Sequence, residues 1–298
     1  MKIQFLNGGL ANQTFQYIFT RYYELSHPGQ IMYLDDSYFA LYTVHNGYEL
    51  DKVYTGVKPH MLSACFEPDV WQYMLGQRSA GKSIPEILQE NGMGVCMIAE
   101  SDSYKRFNPF GGKIWETPVS AYHPEILDYE GYENVYFHGY WLNSEYFKSY
   151  RDVFLRELSF PPLPKGRNQA YLQRIRSENS VSLHVRRGDY VTEHMALDNA
   201  LIADYARQFR EQVSGCWTLF VFSDDIAWCR QHESELAFSL FDDIVYVEGN
   251  TGGSNYIDMQ LMSQCRGMIM SNSSFCYLAA LLNQNVQYVL NPTTWKIV

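Results

Sequence analysis

Long uninterrupted apolar runs are absent from this sequence. No stretch has the length of a signal-peptide core or of a membrane-spanning helix. We therefore expect a cytoplasmic protein without a transmembrane segment. No basic cluster forms a polybasic anchor, and peripheral contact with a membrane surface stays open.

Positive charge is also scarce, because 23 Lys and Arg stand against 33 Asp and Glu, for a net charge of -10. Such a chain has no basic stripe to bind a phosphate backbone, so we expect no nucleic-acid partner. The six cysteines form no CxxC pair and no metal-finger spacing, which is typical of buried thiols in a reducing compartment.

Three catalytic signatures are missing as well. The sequence contains no D-x-D, the pattern of metal-assisted diphosphate clamps, and no HExxH or GxSxG. These absences disfavour metal-dependent and serine-nucleophile chemistry. We therefore expect no metal ion and no other cofactor.

What is present is a regular alternation of strand and helix patterns in the second half of the chain. The expected strands are 180–187, 217–225, 243–249, 267–273 and 286–292, and the expected helices are 200–213, 226–238, 255–265 and 274–283. This alternation predicts a parallel sheet with helices on both faces, which binds ligands at the carboxyl ends of its strands.

The first half begins in the same way but is less regular. The expected strands are 2–7, 31–37 and 135–141, the expected helices are 14–27 and 143–158, and residues 38–130 have a mixed pattern. Residues 160–169 contain three prolines and a glycine, a composition typical of a linker. We therefore predict two α/β domains, 1–160 and 170–298, facing each other across a cleft.

Two adjacent arginines, Arg186 and Arg187, follow His184 at the end of the first strand of the second domain. A guanidinium binds phosphate through two N–H groups at once, so the pair suits a diphosphate held without metal. Asp189 is placed to pair with an arginine and Tyr190 to form a pocket wall. The alternative is a surface Arg–Asp pair, which stabilises little.

A second polar corner is SNSSF (271–275), where a strand ends and a helix begins. Free backbone N–H groups and the helix dipole favour an anion there, and the hydroxyls of Ser273 and Ser274 add donors. The alternative is an ordinary helix cap. The predicted topology places this corner beside RRGD, which favours a shared anion site.

Two weaker motifs complete the set. FSDD offers Ser223, Asp224 and Asp225 at another strand end, either as contacts to a ribose or a base or as a helix cap. GGLANQ resembles a phosphate loop but lacks GxGxxG and the lysine of GK[ST]. Its Asn12 and Gln13 either cap the helix or face the cleft.

The combination of these stretches resembles the α-1,2-fucosyltransferases of glycosyltransferase family 11. The resemblance is carried, in family order, by GGLANQTFQY, FHGYW with SEYF, HVRRGDY, FSDD, YIDMQLMSQC and SNSSFCYLAALL. It implies two Rossmann-like domains of GT-B type and metal-free, inverting transfer of fucose from GDP-fucose to the 2-hydroxyl of a β-galactoside. The N-terminal domain would bind the acceptor and the C-terminal domain GDP-fucose.

The resemblance also implies residue roles. Arg186, Asp189, His184 and Asn12 would act at the reaction centre, and the arginine pair would bind the diphosphate. The residues expected to bind the donor are Arg186, Arg187, Ser223, Asp224, Asp258, Ser273, Ser274, Phe275 and Gln13. The sequence departs from the family pattern at Ala11, usually a glycine, and at CYLAA, usually SWWAA.

No carboxylate identifies itself as the base that takes the acceptor proton, and Asp35, Asp36 and Asp189 stay open. Two further hypotheses stand beside the main one. The first is a fucosyltransferase of another linkage or acceptor on the same scaffold. The second is a non-catalytic glycan-binding protein.

Overall fold

The computed structural model describes residues 1–293, and the chain divides into two compact units, Met1–Ser159 and Phe160–Val298. In the described residues each unit has one five-stranded sheet, and all paired strands in both sheets are parallel. The α/β class predicted from the alternating pattern is confirmed. That the two domains face each other across a cleft stays a prediction.

The sheet of the first unit has the strand order β2-β1-β5-β3-β4. Its strands are β1 Lys2–Phe5, β2 Met32–Asp35, β3 Val95–Ala99, β4 Lys113–Glu116 and β5 Asn134–His138. Its helices are α1 Leu10–Ser26, α2 Ser37–Leu41, α3 Leu50–Val53, α4 Pro68–Ser79, α5 Ile84–Glu90, α6 Tyr104–Phe107, α7 Ser144–Ser149 and α8 Arg151–Glu157, with 3-10 turns at Leu62–Cys65 and Pro124–Asp128.

The sheet of the second unit has the order β10-β9-β6-β7-β8. Its strands are β6 Ser180–Val185, β7 Thr218–Ser223, β8 Asp243–Tyr246, β9 Gly267–Ile269 and β10 Tyr288–Leu290. Its helices are α9 Arg167–Ser177, α10 Gly188–Thr192, α11 Asn199–Gln212, α12 Ile226–Gln231, α13 Tyr256–Met262 and α14 Ser274–Leu282, with 3-10 turns at Phe238–Leu240 and Gly252–Ser254.

Both sheets reverse their direction of growth at the middle. In the second unit the chain runs outward from β6 through β7 to β8, and then from β9 to β10 on the other side. In the first unit β1 and β2 lie on one side of β5, and β3 and β4 on the other. The carboxyl ends of strands at such a reversal leave a crevice between diverging loops, which is where parallel sheets bind ligands.

Each sheet is buried by helices on its faces. The central strands β3, β5 and β6 are buried at every position, as expected for parallel strands covered on both sides. In the second unit the apolar side of α11 packs on the sheet through buried residues that include Ile202, Ala206 and Phe209.

The structure differs from the predicted elements in several places. Residues 38–130, expected to be mixed, contain β3, β4 and several short helices. The helix expected at 143–158 is interrupted at Tyr150, which ends α7 and precedes α8. Helix α9 begins at Arg167, inside the segment interpreted as a linker, because the proline-rich composition extends only through Pro164.

No helix in residues 1–293 is long and apolar enough to cross a membrane. All six cysteines lie in this part of the chain and are free thiols, four of them buried.

Phe209 tests the core of the second unit. Its fully buried ring meets Trp217 edge-on, with 5.1 Å between ring centroids. We expect Phe209→Ala to lower the free energy of unfolding by about 3–5 kcal/mol, since it removes a large buried ring and leaves a cavity. Urea denaturation measures the loss. Leu201→Ala, on the exposed side of the same helix, is the control, and a loss below about 1 kcal/mol for Phe209→Ala would contradict this packing.

Candidate active site

The arginine pair lies at the reversal point of the second sheet. Strand β6 ends at Val185, so Arg186 and Arg187 stand just beyond its carboxyl end, where the sequence had predicted the strand to continue through 187. Strand β6 pairs with β9, which leads into SNSSF, and with β7, which leads into FSDD. The expectation that SNSSF lies beside RRGD is therefore confirmed.

Arg186 is held by two carboxylates. Its Nη2 lies 2.7 Å from Asp189 Oδ1 and its Nη1 lies 2.8 Å from Asp224 Oδ2. Its guanidinium carbon also lies 5.4 Å from the ring centroid of Tyr190. Because a guanidinium has five N–H donors and this side chain is about one-third exposed, it keeps donors for a ligand.

Asp224 connects the two arginines. While one of its oxygens pairs with Arg186, the other accepts a hydrogen bond of 2.9 Å from the backbone N–H of Arg187. A Cβ at Gly188 would lie 2.6 Å from Asp224 Oδ2, so a larger residue there would displace the oxygen that pairs with Arg186. The structure thus places Asp224, expected at the nucleotide, as a residue that positions Arg186.

Arg187 turns to different partners. Its guanidinium carbon lies 3.6 Å from the ring centroid of Trp228, and its Nε lies 3.7 Å from Asp225 Oδ2. The Nε atom is buried and makes no hydrogen bond, so the ring face and the carboxylate stabilise this charge. The Trp228 ring is itself supported by His232, which stacks on it with 4.2 Å between ring centroids.

Sequence reasoning missed Trp228. The available signal was an aromatic residue in the first turn of the helix after FSDD, where its backbone N–H is capped by Asp225 at 3.0 Å. That position alone does not distinguish a partner for an arginine from an ordinary core aromatic.

His184 is buried beneath the arginines. Its Nδ1 lies 2.7 Å from the Ser271 hydroxyl, which ties β6 to the corner after β9. Burial, and secondarily the charge of Arg186, lowers the pKa of His184 to about 3. The imidazole is therefore neutral at physiological pH and supports the site without carrying a charge.

The SNSSF corner is an N-terminal cap of α14. The Ser273 hydroxyl accepts from the backbone N–H of Phe275 at 3.3 Å, and Ser274 is the first residue of the helix. Phe275 is half-buried, with its ring 5.8 Å from that of His184. Ser223 similarly accepts from the backbone N–H of Asp225 at 3.0 Å. Ser273 is thus the N-cap of α14, whereas Ser223 makes a local turn before Asp225, the N-cap of α12, and both lie at the edge expected to bind the donor.

Asp258 lies in α13, after β8, and β7 separates β8 from β6 in the sheet. Its carboxylate accepts a 2.7 Å hydrogen bond from Asn250 Nδ2. Burial raises the pKa of Asp258 to about 7, although the Asn250 hydrogen bond acts in the opposite direction. A carboxyl group with this pKa is partly protonated at neutral pH.

Gln13, predicted to contact the donor, is engaged by its own surroundings, and its contact with the donor stays a prediction. The side chain is fully buried, donates to the carbonyls of Gly8 and Gly47 at 2.9 Å each, and accepts from the backbone N–H of Glu49 at 2.9 Å. It therefore fixes the neighbouring loop. Asn12, one residue earlier, is half-buried in the first turn of α1.

Two of the carboxylates left open as the base are engaged by hydroxyl groups of other elements of the first unit. Asp35 is fully buried and accepts from the Tyr136 hydroxyl at 2.6 Å, and Asp36 accepts from the Ser63 hydroxyl at 2.6 Å. Asp189 has a half-exposed side chain at the arginine site. Within residues 1–293 no group of three or more His, Cys, Asp or Glu side chains is arranged to hold a metal ion.

Comparison with known proteins now identifies the family. The family model of glycosyl transferase family 11 matches residues 118–297. The chain belongs to glycosyltransferase family 11. An alpha-1,2-colitosyltransferase of Escherichia coli is 31% identical over 97% of this chain and 90% of the relative. Mouse galactoside alpha-(1,2)-fucosyltransferase 2 is 28% identical over 50% of this chain and 44% of its own length.

The family membership confirms the resemblance drawn from the motifs. Among solved structures, the NodZ alpha-1,6-fucosyltransferase soaked with GDP-fucose superimposes with a TM-score of 0.54, covering 94% of this chain and 91% of that one at 14% identity. That likeness concerns the fold. It agrees with the two sheets of parallel strands in this family 11 chain.

The buried His184 predicts a pH dependence of stability. Folded His184 stays neutral down to a pH of about 3, whereas the unfolded chain takes up this proton below a pH of about 6.5. The contribution is therefore fully present above a pH of about 6.5 and is lost as the pH falls, by up to about 1.4 kcal/mol per pH unit. We expect urea unfolding between about pH 5 and 7 to show a steeper loss of stability in the wild type than in His184→Gln. Equal slopes would contradict a buried neutral imidazole.

Proposed function

We propose that this family 11 glycosyltransferase transfers L-fucose from GDP-fucose to the 2-hydroxyl of a terminal β-galactoside, with inversion and without a metal ion. The observation that carries the proposal is the Arg186 guanidinium, held between two carboxylates at the reversal point of the second sheet. A fixed, partly exposed fork at this edge suits a diphosphate.

In this mechanism Arg186 takes up the negative charge that develops on the departing GDP. Asp224 is bound to both arginines, whereas the half-exposed Asp189 binds Arg186 alone. Asp189 is therefore the partner that a phosphate oxygen displaces. The N-terminus of α14 follows β9 at the same edge, and the positive end of its helix dipole adds to the stabilisation of this charge.

The remaining predicted residues act around this centre. The second unit binds the donor, with Ser274 and Phe275 along the pocket, His184 and Ser273 beneath it, and Asp258 toward the nucleotide. The first unit binds the acceptor. Its Asn12 stands at the carboxyl edge of the first sheet, near the transferring sugar in this proposal.

A second donor has support of its own. The Escherichia coli relative that matches along almost the whole chain is named for colitosyl transfer. Nucleotide-activated colitose is therefore an alternative candidate donor for the same site. Two further candidate functions are a fucosyltransferase of another linkage and a non-catalytic glycan-binding protein. Every transferase among these candidates keeps the proposed role of Arg186.

The test is an incubation of the purified protein, in EDTA, with GDP-fucose or GDP-colitose and a panel of β-galactosides, followed by mass and linkage analysis. A 2-O-fucosylated galactoside supports donor, linkage and metal independence together. If only a colitosylated product forms, the donor is nucleotide-activated colitose and GDP-fucose is ruled out. If fucose is attached through another linkage, the 2-hydroxyl is not the acceptor position. Glycan binding without donor hydrolysis or transfer supports a non-catalytic glycan-binding protein, whereas GDP binding without transfer keeps the diphosphate role of the arginines and moves the search to other acceptors.

Arg186→Lys tests the role of the fork. Lysine keeps the charge but cannot bind two phosphate oxygens in one plane, so we expect transfer kcat/KM to fall about 100-fold or more. Initial rates and GDP titration measure the effect.

The matched control is Arg176→Lys, which changes an exposed arginine of α9 in the same unit. It should leave the rate unchanged. Near-wild-type kcat together with retained GDP affinity in Arg186→Lys would sink the assignment of the fork.

A further inference from the structure

The turn that follows β5 occupies the same kind of position in the first unit as RRGD does in the second. Strand β5 is the middle strand of its sheet, between β1 and β3, and it ends at His138. Gly139, Tyr140 and Trp141 therefore lie at the carboxyl edge where the sheet reverses its growth. Ligands of parallel sheets bind at this place. The proposed function assigns no role to this turn.

A buried carboxylate holds the turn by its backbone. Glu100 Oε2 accepts from the backbone N–H groups of Tyr140 at 2.7 Å and Trp141 at 2.8 Å, and its Oε1 accepts from that of Ser120 at 2.9 Å. A Cβ at Gly139 would lie 2.6 Å from Glu100 Oε2. Burial raises the pKa of Glu100, while these three N–H groups act in the opposite direction.

The turn is also strained. Trp141 has φ of 57°, in the left-handed region that costs a non-glycine residue roughly 1–2 kcal/mol. Its ring is locked in place by stacking on Phe19 at 4.3 Å and by a 2.7 Å hydrogen bond from Nε1 to Gln4 Oε1. Backbone strain that a structure over-determines in this way is concentrated at ligand sites.

What the turn presents at the edge is Tyr140. The residue is half-buried, and its hydroxyl accepts from Asn7 Nδ2 at 3.4 Å. Asn7, two residues beyond the end of β1, is itself fixed because its Oδ1 accepts from Gln16 Nε2 at 2.8 Å. The tyrosine ring is thus anchored at both ends, through its backbone by Glu100 and through its hydroxyl by Asn7.

We propose that Tyr140 contacts the acceptor, with its ring packed against the apolar face of the terminal pyranose. This inference rests on the proposed function, in which the first unit binds the acceptor glycan. A pre-positioned aromatic ring buries the C–H groups of a sugar at little cost in conformational freedom. Glu100 is a positioning residue, because it acts on the sugar only through the turn.

The experiment compares Tyr140→Ala and Tyr140→Phe in the full chain. With one aromatic contact removed, we expect the acceptor KM of Tyr140→Ala to rise about tenfold. Donor KM and GDP affinity should stay within about twofold, since the arginine site is untouched. Tyr140→Phe keeps the ring and should recover most of the acceptor affinity. The control is Tyr73→Ala, an exposed tyrosine of α4 in the same unit.

Lactose titration in the presence of GDP gives a readout that needs no turnover. If the wild type binds lactose and Tyr140→Ala binds it about tenfold more weakly, the inference stands even where no fucose is transferred. Unchanged lactose affinity and acceptor KM in Tyr140→Ala overturn it while leaving the proposed function intact. A wild type that neither binds nor transfers to any galactoside overturns both.

Glu100→Gln tests the positioning role. The amide replaces an acceptor by a donor facing a backbone N–H group, so the turn shifts and acceptor KM should rise with donor KM unchanged. A role in stability alone would lower the melting temperature and leave acceptor KM as it was. That outcome contradicts the positioning role.

Discussion

Two positive charges on adjacent residues repel each other, and three nearby carboxylates in the second unit offset this repulsion. Asp189 and Asp224 bind Arg186, while Asp225 and the face of Trp228 stabilise Arg187. Asp224 belongs to both, since it also binds the Arg187 backbone. The order of the strands makes this sharing possible, because it places the ends of β6 and β7 side by side.

The first unit contains a related arrangement, in which the stabilised charge is negative. There a buried carboxylate is stabilised by backbone N–H groups, and it fixes a turn in place of a side chain. Both solutions stand where a parallel sheet reverses its growth, and both depend on a glycine beside the carboxylate, Gly188 in one unit and Gly139 in the other. In each case the missing Cβ permits an oxygen to approach the backbone closely.

The sequence predicts these arrangements unevenly. The α/β class, the strands that end at RRGDY, FSDD and SNSSF, and the neighbourhood of RRGDY and SNSSF follow from alternating apolar patterns, which are strong in the second half. The strands β3 and β4 do not. The run VCMIA of β3 is apolar but stands in a segment without regular alternation, and β4 is a largely exposed edge strand with little apolar pattern. The two arginines turn to different partners because Trp228 binds Arg187. The buried side chain of Gln13 is held by residues more than thirty positions away. Such contacts are set by tertiary packing, which no local pattern records.

The hold of Glu100 on its turn has an evolutionary consequence. Its hydrogen bonds reach backbone groups, which every residue other than proline possesses, so the shape of the turn does not depend on which side chain stands at position 140. Substitutions there alter what the turn displays and leave its path unchanged. If Tyr140 contacts the acceptor as proposed, single replacements at this position would change the glycan contact without rebuilding the turn that carries it.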